Sequence, residues 1–77
     1  MSAAYVLILI QASVTDPREV VEKIRRIEGV KQAHATIGPT DCIAFIEGPD
    51  PDALTASLLA IRAVEGVERT DTRLAIL

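Results

Sequence analysis

GVKQAHATIGPTDCIAFIEG, residues 29–48, carries two runs of strand-forming residues on either side of a Gly-Pro-Thr-Asp turn. Such runs, bounded by Gly, Pro and Asp, are typical of strands joined by a tight turn. The pattern predicts a β-hairpin with strands over residues 31–37 and 42–47. Because the chain's only cysteine and only histidine also lie here, the turn has three interpretations: a reactive centre, a ligand-binding loop or a plain turn.

A repeated pattern flanks this hairpin. DPREVVEKIRRIEGVKQA begins at Asp16 and DPDALTASLLAIRAVEGVERT begins at Asp50, and each runs from Asp-Pro through a helical pattern to Glu-Gly-Val. Aspartate is a favoured N-cap, proline suits the first helical position, and glycine commonly follows a helix end. We therefore predict two helices, the second three residues longer, followed by Gly29 and Gly66. The predicted buried stripes are Val20, Val21, Ile24 and Ile27 in the first helix and Leu54, Leu58, Ile61 and Val64 in the second.

Two further strands are predicted, over residues 4–12 and 67–77. The order β-α-β-β-α-β is that of the split βαβ or ferredoxin-like arrangement. The predicted fold class is therefore α+β: a four-stranded antiparallel sheet with two helices on one face. A chain of 77 residues has room for one domain only, so residues 1–77 are expected to form a single domain.

Composition limits the classes of function. The net charge of −3, from 8 basic and 11 acidic residues, argues against direct nucleic-acid binding, which depends on clustered Lys and Arg. One cysteine cannot form an internal disulfide, and one cysteine with one histidine is a poor metal-ligand set. We expect no metal and no cofactor. With neither a targeting segment nor an apolar run long enough to span a bilayer, we expect a cytoplasmic protein without membrane contact.

The apolar pattern predicts that both faces of the sheet are covered. The segment YVLILI, residues 5–10, does not alternate, although a strand with one wet face should. Two helices cover one face, so we predict that the other face packs against a second copy, as small domains often gain stability by self-association. The alternative interpretation is a central strand that is simply apolar.

The motifs of the central stretch resemble the effector-binding domain of the Lrp/AsnC family, also called the RAM domain. The family pattern is Val-x-x-Ala/Cys, a short strand, Gly-x-Tyr-Asp and an apolar strand. The chain resembles the family domain over essentially all of its 77 residues. The matching positions here are Val30, Ala33, Gly38, Thr40 and Asp41. The family's Pro-Gly-Val turn corresponds to Glu65-Gly66-Val67, and its Thr-x-Thr segment corresponds to Thr70 and Thr72.

The resemblance implies a ferredoxin-like fold, homodimers that pack through their sheet faces, and rings of dimers. It also implies a small effector, often an amino acid, bound near the Gly-x-Tyr-Asp turn and the last strand. Two features differ from the family: Thr40 replaces the tyrosine, and the chain starts at the first strand, so a stand-alone form without the DNA-binding helix-turn-helix is expected. The candidate ligand-binding residues are Gly38, Pro39, Thr40, Asp41, Thr70 and Thr72.

Each candidate also has a plain structural interpretation. The Asp41 carboxylate can accept hydrogen bonds from an amino acid's ammonium group, or it can bond its own turn backbone. Thr70 and Thr72 share one strand face and either line a polar pocket or reflect β-propensity. Cys42 with His34 as a nucleophile pair is disfavoured, since no third group orients them. No catalytic residue is assigned.

The leading hypothesis is therefore a non-enzymatic effector-binding and oligomerisation module that regulates amino acid metabolism or transcription. A first alternative is a ligand-independent assembly partner of a full-length Lrp/AsnC regulator. A second is a small dimeric enzyme of the monooxygenase type, which shares only the fold, and fold alone says little about function.

Overall fold

The computed structural model describes residues 1–37 and 41–76, and its elements follow the predicted order. The elements are β1 (Ser2–Ile10), α1 (Pro17–Arg25), β2 (Val30–Ala35), β3 (Cys42–Gly48), α2 (Pro51–Arg62) and β4 (Val67–Leu74). The four strands form one antiparallel sheet in the order β2-β3-β1-β4. The ferredoxin-like α+β prediction is confirmed.

Both helices begin as the Asp-Pro pairs predict. The Asp16 carboxylate accepts the backbone N–H of Arg18 at 3.0 Å, and the Asp50 carboxylate accepts that of Ala53 at 2.9 Å. Each bond satisfies one of the N–H groups that the first turn of a helix leaves without a partner. The helices have 9 and 12 residues, so the predicted difference of three is confirmed.

Both helices end earlier than the glycines predicted. α2 ends at Arg62, well before Gly66, and α1 ends at Arg25 with Arg26 as its C-cap, before Gly29. The chain then tightens, because the N–H groups of Arg26 and Ile27 bond to carbonyls three residues back, at 3.2 and 3.1 Å. This tighter turn brings Ile27 against the core. Gly29, with φ of +92°, then makes the reversal into β2.

All four strands also differ in their bounds from the prediction, β3 only by the one residue Gly48. β1 begins and ends two residues earlier than predicted, because Ser2 already pairs with Gly48 of β3. β2 runs from Val30 to Ala35 and β4 stops at Leu74, which lies opposite Ala4. Backbone pairing with a neighbouring strand sets these ends, and a single strand's own pattern does not reveal where its neighbour stops.

The core lies between the helices and one face of the sheet. Val20, Val21 and Ile24 of α1 and Leu54 and Ile61 of α2 are buried, as predicted. The partly buried side chains around them include Ile27, Leu58 and Val64. The sheet contributes the buried residues Ala4, Val6, Ile8, Ile10, Ala33, Cys42, Ala44 and Ile46. Both described helices lie on this side, so the opposite sheet face is left without one.

Candidate functional site

Asp41 joins two strands at the end of the sheet where the hairpin turns. Its Oδ2 atom accepts the backbone N–H of Ile10 at 2.9 Å, across 31 positions of sequence. The ladder between β1 and β3 runs from Ser2–Gly48 to Ile8–Cys42, so this side-chain bond continues it beyond its last backbone pair. A carboxylate has two oxygens and about four acceptor positions, so the second oxygen, Oδ1, retains the capacity to accept a ligand's N–H.

A shallow depression of about 300 Å³ lies beside this carboxylate. It is lined by Ile10, Gln11, Ala12, Val14, Pro17 and Asp41. An apolar floor with one carboxylate at its side is a suitable site for a small molecule that carries both an ammonium group and an aliphatic part. Three of the predicted ligand-binding residues, Gly38, Pro39 and Thr40, lie outside the described residues.

Thr70 and Thr72 lie on the helix-covered side of β4. Thr70 is opposite Ile8 and Thr72 is opposite Val6, and opposed residues in a sheet share a face. The Thr70 hydroxyl accepts a hydrogen bond from Arg62 Nε of α2 at 3.0 Å. The threonines therefore share one face, as expected, and both are partly exposed. Arg62 is a polar neighbour that the sequence pattern did not single out.

β1 separates Asp41 from both threonines. Ile8 pairs with Cys42 on one side and with Thr70 on the other, so two strand spacings, about 10 Å, lie between β3 and β4 at this level. Thr72 lies two residues farther from the turn. Within one chain, then, Asp41 and the threonines do not line one small pocket.

The face of the sheet without helices has an apolar centre. The centre consists of Tyr5, Leu7, Leu9, Ile43 and Phe45. The rings of Tyr5 and Phe45 are in contact at a tilt of 48°, with centroids 4.9 Å apart. Tyr5 is 50% exposed. This surface, which we call the open face, confirms that both faces of the central strands are apolar.

Charged side chains border the open face along β4. Arg69, Asp71 and Arg73 lie opposite Leu9, Leu7 and Tyr5. Arg73 Nη2 contacts an Asp71 carboxylate oxygen at 2.9 Å, and this hydrogen bond lowers the pKa of Asp71. Sequence reasoning missed this border, although alternate positions of one strand signal it.

The sequence matches the profile of the Lrp/AsnC ligand binding domain over residues 4–76. The chain belongs to this family. Two solved structures of similar length are each 31% identical to it: TTHA0845 from Thermus thermophilus has a TM-score of 0.86 and is covered over 95% of its length, and the hypothetical protein PHS023 from Pyrococcus horikoshii has a TM-score of 0.87 and is covered over 92%. Both matches include 100% of this chain. Among curated proteins nothing matched.

A longer protein shares the fold of this Lrp/AsnC domain. The transcriptional regulator NMB0573 of Neisseria meningitidis, solved as a complex with L-Met, has a TM-score of 0.82 at 20% identity. The match includes 99% of this chain and 50% of the regulator. At 20% identity, the comparison shows that the two proteins share a fold and nothing further.

Cys42 and His34 do not form a reactive pair in this Lrp/AsnC domain. Cys42 is buried under the helices, whereas His34 pairs with Ile43 and so belongs to the open face. Burial raises the pKa of the Cys42 thiol to about 11, and the neighbouring Asp41 carboxylate acts in the same direction as a smaller cause. A thiol that stays protonated is a poor nucleophile.

Two searches of the described residues bear on other kinds of site. Residues 1–37 and 41–76 contain no group of three or more His, Cys, Asp or Glu side chains that could hold a metal ion. In the same ranges, neither helix has the length and apolar character needed to cross a membrane.

Proposed function

We propose that this chain is an amino-acid-binding and oligomerisation module that regulates amino acid metabolism or transcription. Membership of the Lrp/AsnC ligand-binding domain family supports effector binding, and the L-Met complex of a protein with this fold supports an amino acid as the effector. The observation that carries the proposal is the Asp41 carboxylate, which Ile10 holds beside an apolar depression.

The proposed role of Asp41 is to accept a hydrogen bond from the effector's ammonium group through Oδ1. A bond between two charged groups is about twice as strong as one between neutral groups. Gly38, Pro39 and Thr40 are proposed to complete the site on the turn side. Thr70 and Thr72 lie beyond β1, so we propose that they contact effector held by a neighbouring subunit.

The proposed assembly is a homodimer through the open face, with dimers joined into a ring. A continuous apolar surface bordered by polar side chains is typical of a protein–protein interface. Tyr5 and Phe45 supply the aromatic anchors that dominate such interfaces. A full-length Lrp/AsnC regulator, whose copy of this domain has the same fold, is proposed as a second partner in mixed assemblies.

The test is thermal melting at fixed protein concentration against each of the twenty amino acids, followed by calorimetric titration of any that stabilises. A ligand at about 100 times its Kd adds about 2.7 kcal/mol, which shifts the Tm of so small a domain by roughly 10–20 °C. Asp41→Asn keeps an oxygen for Ile10 N–H but removes the charge, so the shift should disappear. Asp50→Asn is the matched control, because asparagine caps a helix about as well as aspartate.

A second function is favoured by the bond that Asp41 already makes. Its hydrogen bond to Ile10 gives the residue a structural role that needs no ligand. If no amino acid stabilises the protein, or if Asp41→Asn retains the full shift, the effector site proposed here is wrong. The first result would favour a ligand-independent assembly partner of a full-length regulator.

A further inference from the structure

The outer surfaces of the two helices differ in chemistry. Every exposed residue of α1 is charged: Arg18, Glu19, Glu22, Lys23 and Arg25. On α2 the exposed charges are Asp52 near the start and Arg62 at the end, and the exposed residues between them are Thr55, Ala56, Leu59 and Ala60. Leu59 is 57% exposed and is the one large apolar side chain so exposed on a helix in the described chain.

A groove of about 400 Å³ runs along the side of α2, between this helix and the turn after α1. Its walls are largely apolar, with Ala53, Ala56 and Ala60 on one side and Ile27 and Pro49 on the other. Ser57 lies at the base, where its hydroxyl donates to the Glu28 carbonyl at 2.7 Å. The Ser57 hydroxyl is therefore satisfied. Glu28 and Glu47 also line the groove, and its largely apolar remainder suits an aliphatic side chain.

The two halves of the internal repeat differ beside this groove. In the first half of the chain, six residues connect β1 to α1. One of them, Val14, lies 3.0 Å from the point that a Cβ atom would occupy if Gly66 had a side chain. In the second half, only Pro49 and Asp50 connect β3 to α2. Beside Gly29 the corresponding position is filled by Ser57 of α2, and of the short connection only Pro49 lines the groove.

We infer that α2 is a second self-association surface, on which Leu59 of one copy enters the groove of another. An exposed aliphatic side chain and an apolar groove lie side by side on the same helix, as a two-fold interface requires. Ala56, which lines the groove, and Leu59 also share the outward side of α2 at i and i+3. If two α2 helices pair antiparallel about a two-fold axis that passes midway between Ala56 and Leu59, Leu59 of each copy contacts Ala56 of the other.

The charges at the two ends of α2 match this arrangement. Asp52 and Arg62 are ten residues apart, or about 15 Å along the helix, and their midpoint falls within about 1 Å of the midpoint of Ala56 and Leu59. The same two-fold axis therefore brings Asp52 of each copy beside Arg62 of the other. Arg62 uses Nε to hold Thr70, and its remaining N–H donors suit a carboxylate. A parallel pair would place like charges together.

This surface lies on the opposite side of the sheet from the open face, and its role in joining dimers rests on the open-face dimer proposed above. A chain with two different two-fold surfaces extends beyond a dimer, into a closed ring or an open chain of dimers. The helix side is thus a contact by which dimers of this chain join one another.

Cross-linking at α2 tests the inference in the full chain. Ala56→Cys should be joined to itself by a short bis-maleimide, because Ala56 lies near the proposed axis, while the buried Cys42 stays unreactive. Lys23→Cys, which is also exposed but on α1, is the control and should yield at least about tenfold less linked product, as α1 has no such axis. In the double variant Ala56→Cys/Leu59→Glu, the cross-linked dimer should no longer form. Equal yields from the two cysteines, or a product that persists with Leu59→Glu, would overturn the α2 interface.

Sedimentation equilibrium gives the second readout. Leu59→Glu should raise the Kd of the helix-side association about tenfold or more, since burial of a leucine contributes at least that much to binding. Asp52→Arg and Arg62→Asp should each weaken it, and the two together should restore it. A mass unaffected by all three changes would overturn the inference. The control is the Tm of Leu59→Glu at a protein concentration low enough to dissociate the assembly. A Tm equal to that of the unsubstituted chain under the same conditions shows that the fold is intact.

Discussion

The Asp41 carboxylate accepts the backbone N–H of Ile10 at 2.9 Å and so ties the start of β3 to the end of β1. The bond joins residues 31 positions apart at the end of the sheet beside the proposed effector site. The side chain proposed to contact the effector is thus also part of the sheet's hydrogen-bonding. Stability and ligand binding at Asp41 must be measured separately.

Asp41→Ala should lower the free energy of unfolding by about 1–3 kcal/mol, because the partly buried Ile10 N–H loses its acceptor. Asp41→Asn should cost less than Asp41→Ala, since its side-chain oxygen can still accept that bond. Urea unfolding of both variants without ligand makes the comparison. Equal losses from the two substitutions would show that the Ile10 bond does not account for the stabilisation.

Gly29→Ala should destabilise the chain by about 1–3 kcal/mol. Gly29 has φ of +92°, and a Cβ there would collide with the Ser57 hydroxyl. Thermal unfolding measures the loss. In the double variant Gly29→Ala/Ser57→Ala, the collision is relieved but the backbone strain stays. The loss of stability in the double variant should therefore be smaller than the sum of the losses in the two single variants. Strict additivity would mean that the collision contributes nothing.

Cys42 should make the folded state less stable as the pH rises from about 9 to 11. Burial raises the pKa of the thiol from an ordinary 9.0 to about 11, so within this window the unfolded chain has lost a proton that the folded chain keeps. By linkage, the free energy of unfolding then falls with increasing pH. Comparison with Cys42→Ala across the window isolates this effect from other alkaline titrations. Parallel pH profiles would contradict the assignment.

Arg25→Met should weaken the outer edge of the sheet at β2. Arg25 Nε donates to the Ala33 carbonyl at 2.9 Å, and its Nη1 contacts Glu22 at 3.2 Å. Loss of the backbone bond should cost about 0.5–1.5 kcal/mol, and the exposed Glu22 contact should add little. Amide hydrogen exchange should accelerate in β2 more than in β1. Glu22→Gln, which removes only the ion pair, should leave exchange in β2 nearly unchanged.

Local sequence patterns predicted the order and type of the helices and strands. Contacts between residues distant in sequence determine where the strands end and which side chains meet. The Asp-Pro and Glu-Gly-Val segments act within a few residues of themselves, so the two helices and their relative lengths could be derived from the sequence. The ends of β1 and β4 depend on partner strands. The exposure of Leu59, next to the partly buried Leu58, depends on how α2 is rotated over the sheet. The Asp41 bond to Ile10 depends on a register that no local pattern contains.

The repeat in this sequence has a consequence for chain connectivity. The backbone N–H of Ala75, just after β4, donates to the Ala3 carbonyl at 2.9 Å, so a short linker could join β4 to β1 as a hairpin. A circular permutant opened between β2 and β3 would then read β3-α2-β4-β1-α1-β2. That order is again βαββαβ, and the strand positions within the sheet are those of the parent. The two halves can therefore exchange their places along the chain without changing the architecture.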